Sequence, residues 1–251
     1  MAAVTELRRV WPEFRRRLRR TLRRLVLVVR QPSTVRLNGV ELELGPWATA
    51  PVRRAIYQGW YERNEHDVLL ATLRPEDTVL ELGCGAGYIT TVAARIAREV
   101  RAFDGNPDIV AVARDTVTHN GCVATVENAV VQRAPSEATV RFYLEPDFPG
   151  SSLKPSHSGH AVDAPTCDFT TACQACTYLV VDIEGAEVEL LRTEMPGVRA
   201  ICVETHPWRT GLRPITEMLA SLMAQGFMLD VEQSRGIVLH LRRDLGEPGV
   251  S

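Results

Sequence analysis

Residues 78–90 read TVLELGCGAGYIT and contain the transition that decides the fold. Residues 78–82 are an apolar run typical of a buried strand, and glycines follow at positions 83, 85 and 87. Such glycines let the backbone turn tightly and approach a ligand, and the beginning of a helix offers free N–H groups. A dinucleotide site of the G-x-G-x-x-G type would place its last glycine at position 88, which is Tyr88. The stretch therefore predicts a strand, a ligand-binding turn and a helix, with a spacing that disfavours NAD enzymes.

Strand and helix patterns alternate from this stretch to the C-terminus. Alternation of this kind predicts an α/β fold, with a mostly parallel sheet covered by helices and closed by a C-terminal antiparallel strand pair. Residues 139–144 predict an added edge hairpin, and the strand at 178–182 is apolar until it ends in an acid. The other predicted strands are 100–103, 123–126, 198–204, 228–232 and 236–241, and the predicted helices are 88–98, 106–119, 186–193 and 214–225.

The composition is that of an ordinary globular protein. The chain has 251 residues, of which 45% are hydrophobic and 24% charged, and its net charge is −2. This charge gives no general attraction to nucleic acid or to anionic membranes. No apolar run reaches the 18 residues of a transmembrane helix, and six cysteines are too few for a disulfide scaffold. These features favour a cytoplasmic protein.

The N-terminal region differs from the rest in charge. Residues 1–30 hold ten arginines, and apolar side chains recur every three or four positions over residues 7–29. The resulting basic amphipathic helix can cap its own domain, lie on a membrane or a lipid-linked substrate, or contact nucleic acid or a partner. We predict that residues 1–60 form this arginine-rich helical extension and a hairpin, and that residues 61–245 form the main domain.

One segment, residues 145–160, resists regular structure because it holds three prolines, two glycines and four serines. A loop of this length in a compact domain is either functional or a surface insertion. A lid that faces the substrate and a plain insertion both stay open.

Three features together resemble the S-adenosylmethionine site of class I methyltransferases: the glycines after the first strand, Asp104 at the end of the second strand, and Asp182 after the apolar strand. The resemblance extends to the FkbM family of methyltransferases and is most specific at Asp-Ile-Glu-Gly-Ala-Glu, residues 182–187. The segments 61–65, 79–90, 103–107 and 203–207 carry the rest of it. It implies a Rossmann-like class I methyltransferase fold with a seven-stranded sheet.

The resemblance also implies a cofactor site for S-adenosyl-L-methionine, whose product is S-adenosyl-L-homocysteine. The three glycines should line the methionine and ribose, and Asp104 should hold the ribose hydroxyls. Glu127 and Asn128 are candidates for the adenine edge or ordinary turn residues, and Tyr61 and Glu65 either close over the cofactor or lie on a helix surface. The full predicted set is Tyr61, Glu65, Glu81, Gly83, Cys84, Gly85, Gly87, Asp104, Gly105, Asn106, Glu127, Asn128 and Asp182.

Ionisable side chains at the ends of two later strands are the candidates for catalysis. Ligands bind outside the carboxyl ends of such strands, so Asp182 and Glu184 should lie near Glu204 and His206. We expect His206 to act as general base, unless it is a structural histidine, and Asp182 to orient it or contact the acceptor. Glu184 is a third catalytic candidate or a helix cap. No metal site is predicted; magnesium on these groups is considered but not favoured.

The family likeness implies transfer of a methyl group to a hydroxyl of a small metabolite, such as a natural product or a sugar. The transfer is an in-line displacement, so positioning of the acceptor and removal of its proton are the protein's tasks. The predicted partner is this small-molecule acceptor, with no nucleic acid favoured. Contact of residues 7–29 with a membrane or lipid-linked substrate, and a homodimer, stay open. The alternatives are an RNA methyltransferase that uses the arginine-rich helix, and a non-catalytic S-adenosylmethionine-binding regulator.

Overall fold

The computed structural model of the protein describes residues 26–27, 29–145, 151–153 and 159–243. The chain divides into two compact units, Met1–Tyr61 and Glu62–Ser251. Most of the predicted arginine-rich helix lies outside the described residues; within them, residues 26, 27, 29 and 30 are helical. None of the described helices is long and apolar enough to cross a membrane.

The smaller unit contains a hairpin and a helix. Strands β1 (Thr34–Leu37) and β2 (Val40–Glu43) pair antiparallel around Asn38 and Gly39, which both have a positive φ. Asn-Gly favours this tight turn, and the predicted hairpin is therefore confirmed. Helix α1 (Ala50–Gln58) follows, and the guanidinium of Arg53 donates to the carbonyl oxygens of residues 44, 45 and 48.

The larger unit is built on a seven-stranded sheet in the order β11-β12-β10-β9-β3-β4-β5. Strands β3, β4, β5, β9 and β10 are parallel, and β12 is antiparallel to both of its neighbours. The predicted parallel sheet and its C-terminal antiparallel pair are confirmed. The strands are β3 (Thr78–Leu82), β4 (Glu99–Asp104), β5 (Thr125–Asn128), β9 (Tyr178–Val181), β10 (Ala200–Glu204), β11 (Met228–Leu229) and β12 (Val238–Arg242).

Helices cover both faces of this sheet, so the central strands are buried along their whole length. Every residue of β3 and β9 is buried, which matches the behaviour of strands inside a parallel sheet. The main core packs Leu80, Leu179 and Ile201 against Met218 and Leu222. The helices of this unit are α2 (Arg63–Thr72), α3 (Tyr88–Ala94), α4 (Pro107–His119), α5 (Phe169–Cys173), α6 (Glu187–Leu190), α7 (Pro207–Thr210) and α8 (Leu212–Ala224).

A second, three-stranded sheet differs from the sequence-based expectation. It contains β6 (Val130–Gln132), β8 (His160–Asp168) and β7 (Thr139–Leu144) in that order. The pattern predicted β7 but missed β8, because Pro165 and two aspartates are unfavourable in strands. Antiparallel pairing with all six residues of β7 overrides that local preference. Within the predicted loop 145–160, Ser152 pairs with Tyr143, and residues 146–150 and 154–158 lie outside the described ranges.

Candidate active site at the carboxyl edge of the sheet

Gly83 brings the turn after β3 against the end of β9. Its φ is +85°, and a Cβ on it would lie 1.7 Å from the carbonyl oxygen of Asp182. The backbone N–H of Asp182 in turn donates to the carbonyl of Leu82 at 2.9 Å. Only glycine permits this approach, which places the glycine turn directly beside the first catalytic candidate.

Gly87 has a packing role of its own. It has a φ of +79°, and a Cβ on it would lie 2.8 Å from two backbone atoms of Ala113 in α4. Close packing of α3 on α4 therefore already requires glycine here. Its contribution to a cofactor site remains a prediction.

Asp104 braces the same turn from the end of β4. Its Oδ2 accepts the N–H of Gly85 at 3.1 Å, and its Oδ1 accepts the N–H of Asn106 at 2.9 Å. The side chain of Asn106 caps α4 by accepting the N–H groups of Asp108 and Ile109. Burial raises the pKa of Asp104 to about 6, although these backbone donors lower it. The predicted ribose-binding carboxylate thus also holds the glycine turn in shape.

The candidates for the adenine edge lie beside Asp104 at the end of β5. The register pairs Asp104 with Asn128, whose side-chain nitrogen donates to the carbonyl of Asp104 at 2.9 Å. Glu127 Oε1 accepts from Arg101 Nε at 2.6 Å. Packing alone requires glycine at position 105, since a Cβ there would lie within 2.9 Å of the Val130 and Phe142 side chains.

The turn after β9 carries two acids, Asp182 and Glu184, and Glu184 has a strained backbone conformation. Glu184 has a φ of +54°, in the left-handed region that non-glycine residues rarely adopt, and Gly185 follows with a φ of +104°. An ion pair holds the Glu184 side chain, with 2.7 Å between its Oε2 and Arg209 Nε. The side chain of Asp182 is 36% exposed and can meet a ligand.

His206, which is 1% exposed, lies between three carboxylates at the end of β10. Its Nε2 is 3.3 Å from Asp182 Oδ1 and 3.6 Å from Glu184 Oε2. Its Nδ1 is 3.1 Å from Oε1 of Glu187, a fully buried residue at the beginning of α6. Asp182, Glu184 and His206, which the sequence placed on two adjacent strand ends, therefore form one cluster with Glu187, which the prediction did not include. The fourth predicted residue, Glu204, bonds to Glu65 instead.

The protonation states in this cluster are unusual. Burial opposes the charge on His206, but its hydrogen bonds to Asp182 and Glu187 outweigh that effect and raise its pKa to about 10. Burial, together with the charge of Asp182, raises the pKa of Glu184 to about 7. At neutral pH the histidine is therefore an imidazolium without added ligand, and Glu184 titrates in the range suited to proton transfer.

Three further acids line the same edge. Burial raises the pKa of Glu81 to about 8, and its Oε2 is buried without a hydrogen-bond partner among the described residues. Glu65 on α2 shares a hydrogen bond with Glu204, and burial raises the pKa of both carboxyls. A site with this many protonated or closely spaced acids is suited to a cationic ligand.

Three members of the cluster around His206 have the side-chain types of a cation site. Asp182, Glu184 and His206 each offer one ligand atom, and these three atoms lie within 4.8 Å of one another. Arg209 already pairs with Glu184, with 2.7 Å between Arg209 Nε and Glu184 Oε2. Whether a metal binds here is not tested by this arrangement, and its absence stays a prediction.

The structure brings most predicted site residues to the carboxyl edge of the sheet. Some of them also have packing contacts that the sequence did not indicate. Tyr61 belongs to the smaller unit, where it is buried and its ring centroid lies 6.4 Å from that of Trp47. Cys84 is buried in the glycine turn. Glu187 contacts His206 and was not among the predicted catalytic residues, since only the Glu-Gly-Ala-Glu spacing pointed at it. Arg209, which pairs with Glu184, was not among them either.

Known methyltransferases resemble parts of this chain. The family model of the methyltransferase small domain matches residues 64–142, which is less than half of the chain and includes the glycine turn and Asp104. The 23S rRNA (uracil(1939)-C(5))-methyltransferase RlmD of Xanthomonas oryzae is 41% identical over 56 residues, which are 22% of this chain and 13% of that protein. Ribosomal RNA small subunit methyltransferase A of Leuconostoc citreum is 36% identical over 63 residues, 25% of this chain and 21% of that protein.

Solved structures resemble the chain more distantly. Magnesium protoporphyrin IX methyltransferase from Synechocystis, with bound SAM, has a TM-score of 0.47 and 13% identity over 78% of this chain and 85% of that chain. The tRNA (uracil-54, C5)-methyltransferase of Pyrococcus abyssi has a TM-score of 0.44 and 18% identity over 84% and 43% of the two chains.

The larger unit has the class I methyltransferase fold. Its strand order and its single antiparallel strand establish this, and the predicted cofactor, S-adenosyl-L-methionine, is confirmed by the match to a methyltransferase domain. The chain spans only 13% of the length of the first curated relatives that it matches.

One prediction is wrong. The sequence favours a small-molecule acceptor and no nucleic acid, whereas the two relatives described above are ribosomal RNA methyltransferases. The net charge of −2 misled, because it averages over the chain, while binding of nucleic acid depends on local groups of cations.

Proposed function

We propose that the chain is an S-adenosyl-L-methionine-dependent methyltransferase that acts on RNA. The observation that carries the methyl-transfer part is the junction at Gly83, which joins the glycine turn and the Asp182–His206 cluster into one site. The RNA part rests on the rRNA methyltransferases matched locally and on the ten arginines of residues 1–30.

The residues at this edge fit the proposed cofactor. S-adenosyl-L-methionine supplies an activated methyl group on a sulfonium and carries a second positive charge on its ammonium. Burial keeps Glu81 and Glu204 protonated at neutral pH without ligand, and a cationic ligand would lower the pKa of both carboxyls, so that together with Asp182 they supply compensating negative charge. Asp104, held by two backbone N–H groups, keeps free lone pairs for the ribose hydroxyls.

We propose oxygen as the acceptor atom, hence a ribose hydroxyl of the RNA. Methylation at a pyrimidine ring carbon needs a nucleophile that first adds to the ring, usually a cysteine thiolate. Of the six cysteines, Cys84 alone lies in the glycine turn, where it is 1% exposed and burial raises its thiol pKa. A hydroxyl needs only removal of its proton, for which the edge offers Glu184 and His206.

The three catalytic candidates then have distinct tasks. Asp182, the most exposed of them, contacts the acceptor hydroxyl and orients His206. A cationic ligand lowers the pKa of neighbouring groups, which moves His206 and Glu184 toward their proton-accepting forms. Arg209 holds Glu184 in place through its ion pair.

The family likeness, the location in the cell and the predicted cofactor contacts belong to the same proposal. The likeness of residues 182–187 to the FkbM family concerns the methyl-transfer edge and does not specify the acceptor. All six cysteines are free thiols, which is consistent with the proposed cytoplasmic location. Tyr61, Glu65 and the other predicted cofactor contacts are tested together by cofactor binding.

The test uses the full chain with methyl-labelled S-adenosyl-L-methionine and three acceptor pools: deproteinised ribosomal RNA, transfer RNA and a mixture of sugars and phenols. RNA made radioactive by the wild type is digested to nucleosides, and mass spectrometry locates the methyl group. We expect 2′-O-methylnucleosides and at least a hundredfold lower rate for Asp182→Asn. Label in the sugars and phenols alone contradicts the RNA acceptor, and a base-methylated nucleoside contradicts the hydroxyl.

A further inference from the structure

Trp208 is an exposed aromatic side chain beside the proposed active site. It is 64% exposed, and within the described part of the larger unit no other phenylalanine, tyrosine or tryptophan is exposed. Tryptophan normally buries most of its surface, so an isolated exposed indole points to a contact with something outside the chain.

The backbone around Trp208 is firmly held. Helix α7 begins immediately after His206, and the N–H groups of Arg209 and Thr210 donate to the His206 carbonyl at 2.9 and 3.0 Å. The side chains of Arg209 and Thr210 pack on Gly185, where a Cβ would meet Thr210 Cγ2 at 3.1 Å. The indole is therefore presented by a fixed support, which limits the entropy lost when a ligand binds.

Trp208 is also adjacent to the reacting groups. Its ring centroid lies 5.2 Å from that of His206, with an angle of 74° between the ring planes. His206 Nε2 in turn lies 3.3 Å from Asp182 Oδ1. A flat group that stacks on the exposed indole is thus about one ring's width from the cluster that handles the acceptor proton.

We propose that Trp208 is the surface on which one base of the RNA acceptor stacks, so that the attached ribose faces Asp182 and His206. This inference rests on the proposed function and adds the recognition element that the cluster itself lacks. Stacking on an aromatic side chain contributes substantially for every base, and it therefore predicts binding with little base preference.

The first experiment measures the kinetics of methyl transfer to RNA for four proteins. Trp208→Ala should raise KM for RNA about tenfold and change kcat less than threefold, because it removes stacking and leaves the cluster intact. Trp208→Phe keeps a ring and should stay within about threefold of wild type. Leu212→Ala, which shortens a 74% exposed apolar side chain on α8, is the matched control and should not change KM.

The second experiment does not depend on activity. The triple variant Trp11→Phe, Trp47→Phe, Trp60→Phe leaves Trp208 as the single tryptophan, and its fluorescence is titrated with AMP, GMP, CMP and UMP. Saturating S-adenosyl-L-homocysteine blocks the cofactor site, and ribose 5-phosphate serves as the control without a base. We expect saturable quenching by all four nucleotides and none by the control.

The outcomes separate the two proposals. An active wild type with an unchanged KM in Trp208→Ala overturns the role of Trp208 and leaves the proposed function standing. A wild type that labels no RNA contradicts the proposed function, and the quenching then decides about Trp208 alone. Quenching by ribose 5-phosphate to the same extent, or no quenching at all, overturns the stacking surface.

Discussion

Glu187 Oε1 lies 3.1 Å from His206 Nδ1 and also accepts the backbone N–H of His206 at 3.2 Å. The other oxygen of the same carboxylate accepts the N–H of Gly185 at 2.7 Å. One fully buried side chain therefore joins the turn after β9 to the end of β10 and directs His206 Nε2 toward Asp182. In the proposed function, Glu187 acts through His206 and is therefore a positioning residue.

Replacement of Glu187 by Gln should lower the pKa of His206 from its value of about 10 by at least about one unit. The amide keeps a hydrogen-bond acceptor near the ring but removes a negative charge that stabilises the imidazolium. NMR titration of the His206 ring measures the change. Glu189→Gln, on the same helix but 73% exposed, is the control and should leave the titration unchanged.

Gly83→Ala should destabilise the protein by several kcal/mol, because the new Cβ would lie 1.7 Å from the Asp182 carbonyl oxygen at a positive φ. Gly121→Ala is a matched control, since Gly121 has a φ of +67° and no atom lies within 4 Å of its added Cβ. The control should cost about 1 kcal/mol from backbone strain alone. Urea unfolding compares the two, and equal costs would show that the close approach at Gly83 is absent.

Asp104→Asn should weaken binding of S-adenosyl-L-methionine at least tenfold. The amide has one accepting oxygen, so either the N–H of Gly85 or that of Asn106 loses its partner, and the glycine turn loses its brace. Calorimetry on the purified variant measures the affinity. Asp108→Asn, an exposed change in the first turn of α4, serves as control; binding by Asp104→Asn within twofold of wild type contradicts the assignment.

The stability of the protein without ligand should fall as the pH rises from about 5 to 9. The pKa of Glu81 is raised by burial from 4.5 to about 8, so the folded state holds a proton that the unfolded state releases in this range. The stabilisation from this group is complete below pH 4.5 and is lost as the pH passes 8. Thermal unfolding should show a Tm several degrees lower at pH 9 than at pH 6.

Glu81→Gln provides the control for this pH dependence, because a neutral amide cannot titrate. The variant should show a smaller difference in Tm between pH 6 and pH 9 than the wild type. An identical pH dependence in both proteins would mean that Glu81 is not the group responsible.

Several elements were predictable because their signals are local. The apolar run before Gly83 and the helix pattern after it identified the strand, the turn and the helix α3 without reference to the rest of the chain. Asp104 and Asp182 were found by their position at strand ends, where parallel topology gathers ligand-binding groups. Strand β8 was missed because its pairing with β7 brings together residues on either side of a long insertion.

The protonation of the site was not predictable. A histidine at a strand end suggested a general base near neutral pKa, but three carboxylates from the segment that follows β9 surround it. Two of them, Asp182 and Glu187, raise the pKa of His206 to about 10 against the effect of burial, and this depends on distances that residue types do not give.

The sequence by itself determined the α/β alternation, the glycine turn and the acidic strand ends, because hydrophobic periodicity and glycine spacing act over a few neighbouring residues. The tertiary structure alone decided that Glu187 joins His206, that Gly83 must be glycine because of Asp182, and that Trp208 remains exposed beside them. Those relationships join segments separated along the chain, and their energies depend on burial and on distances of a few ångströms.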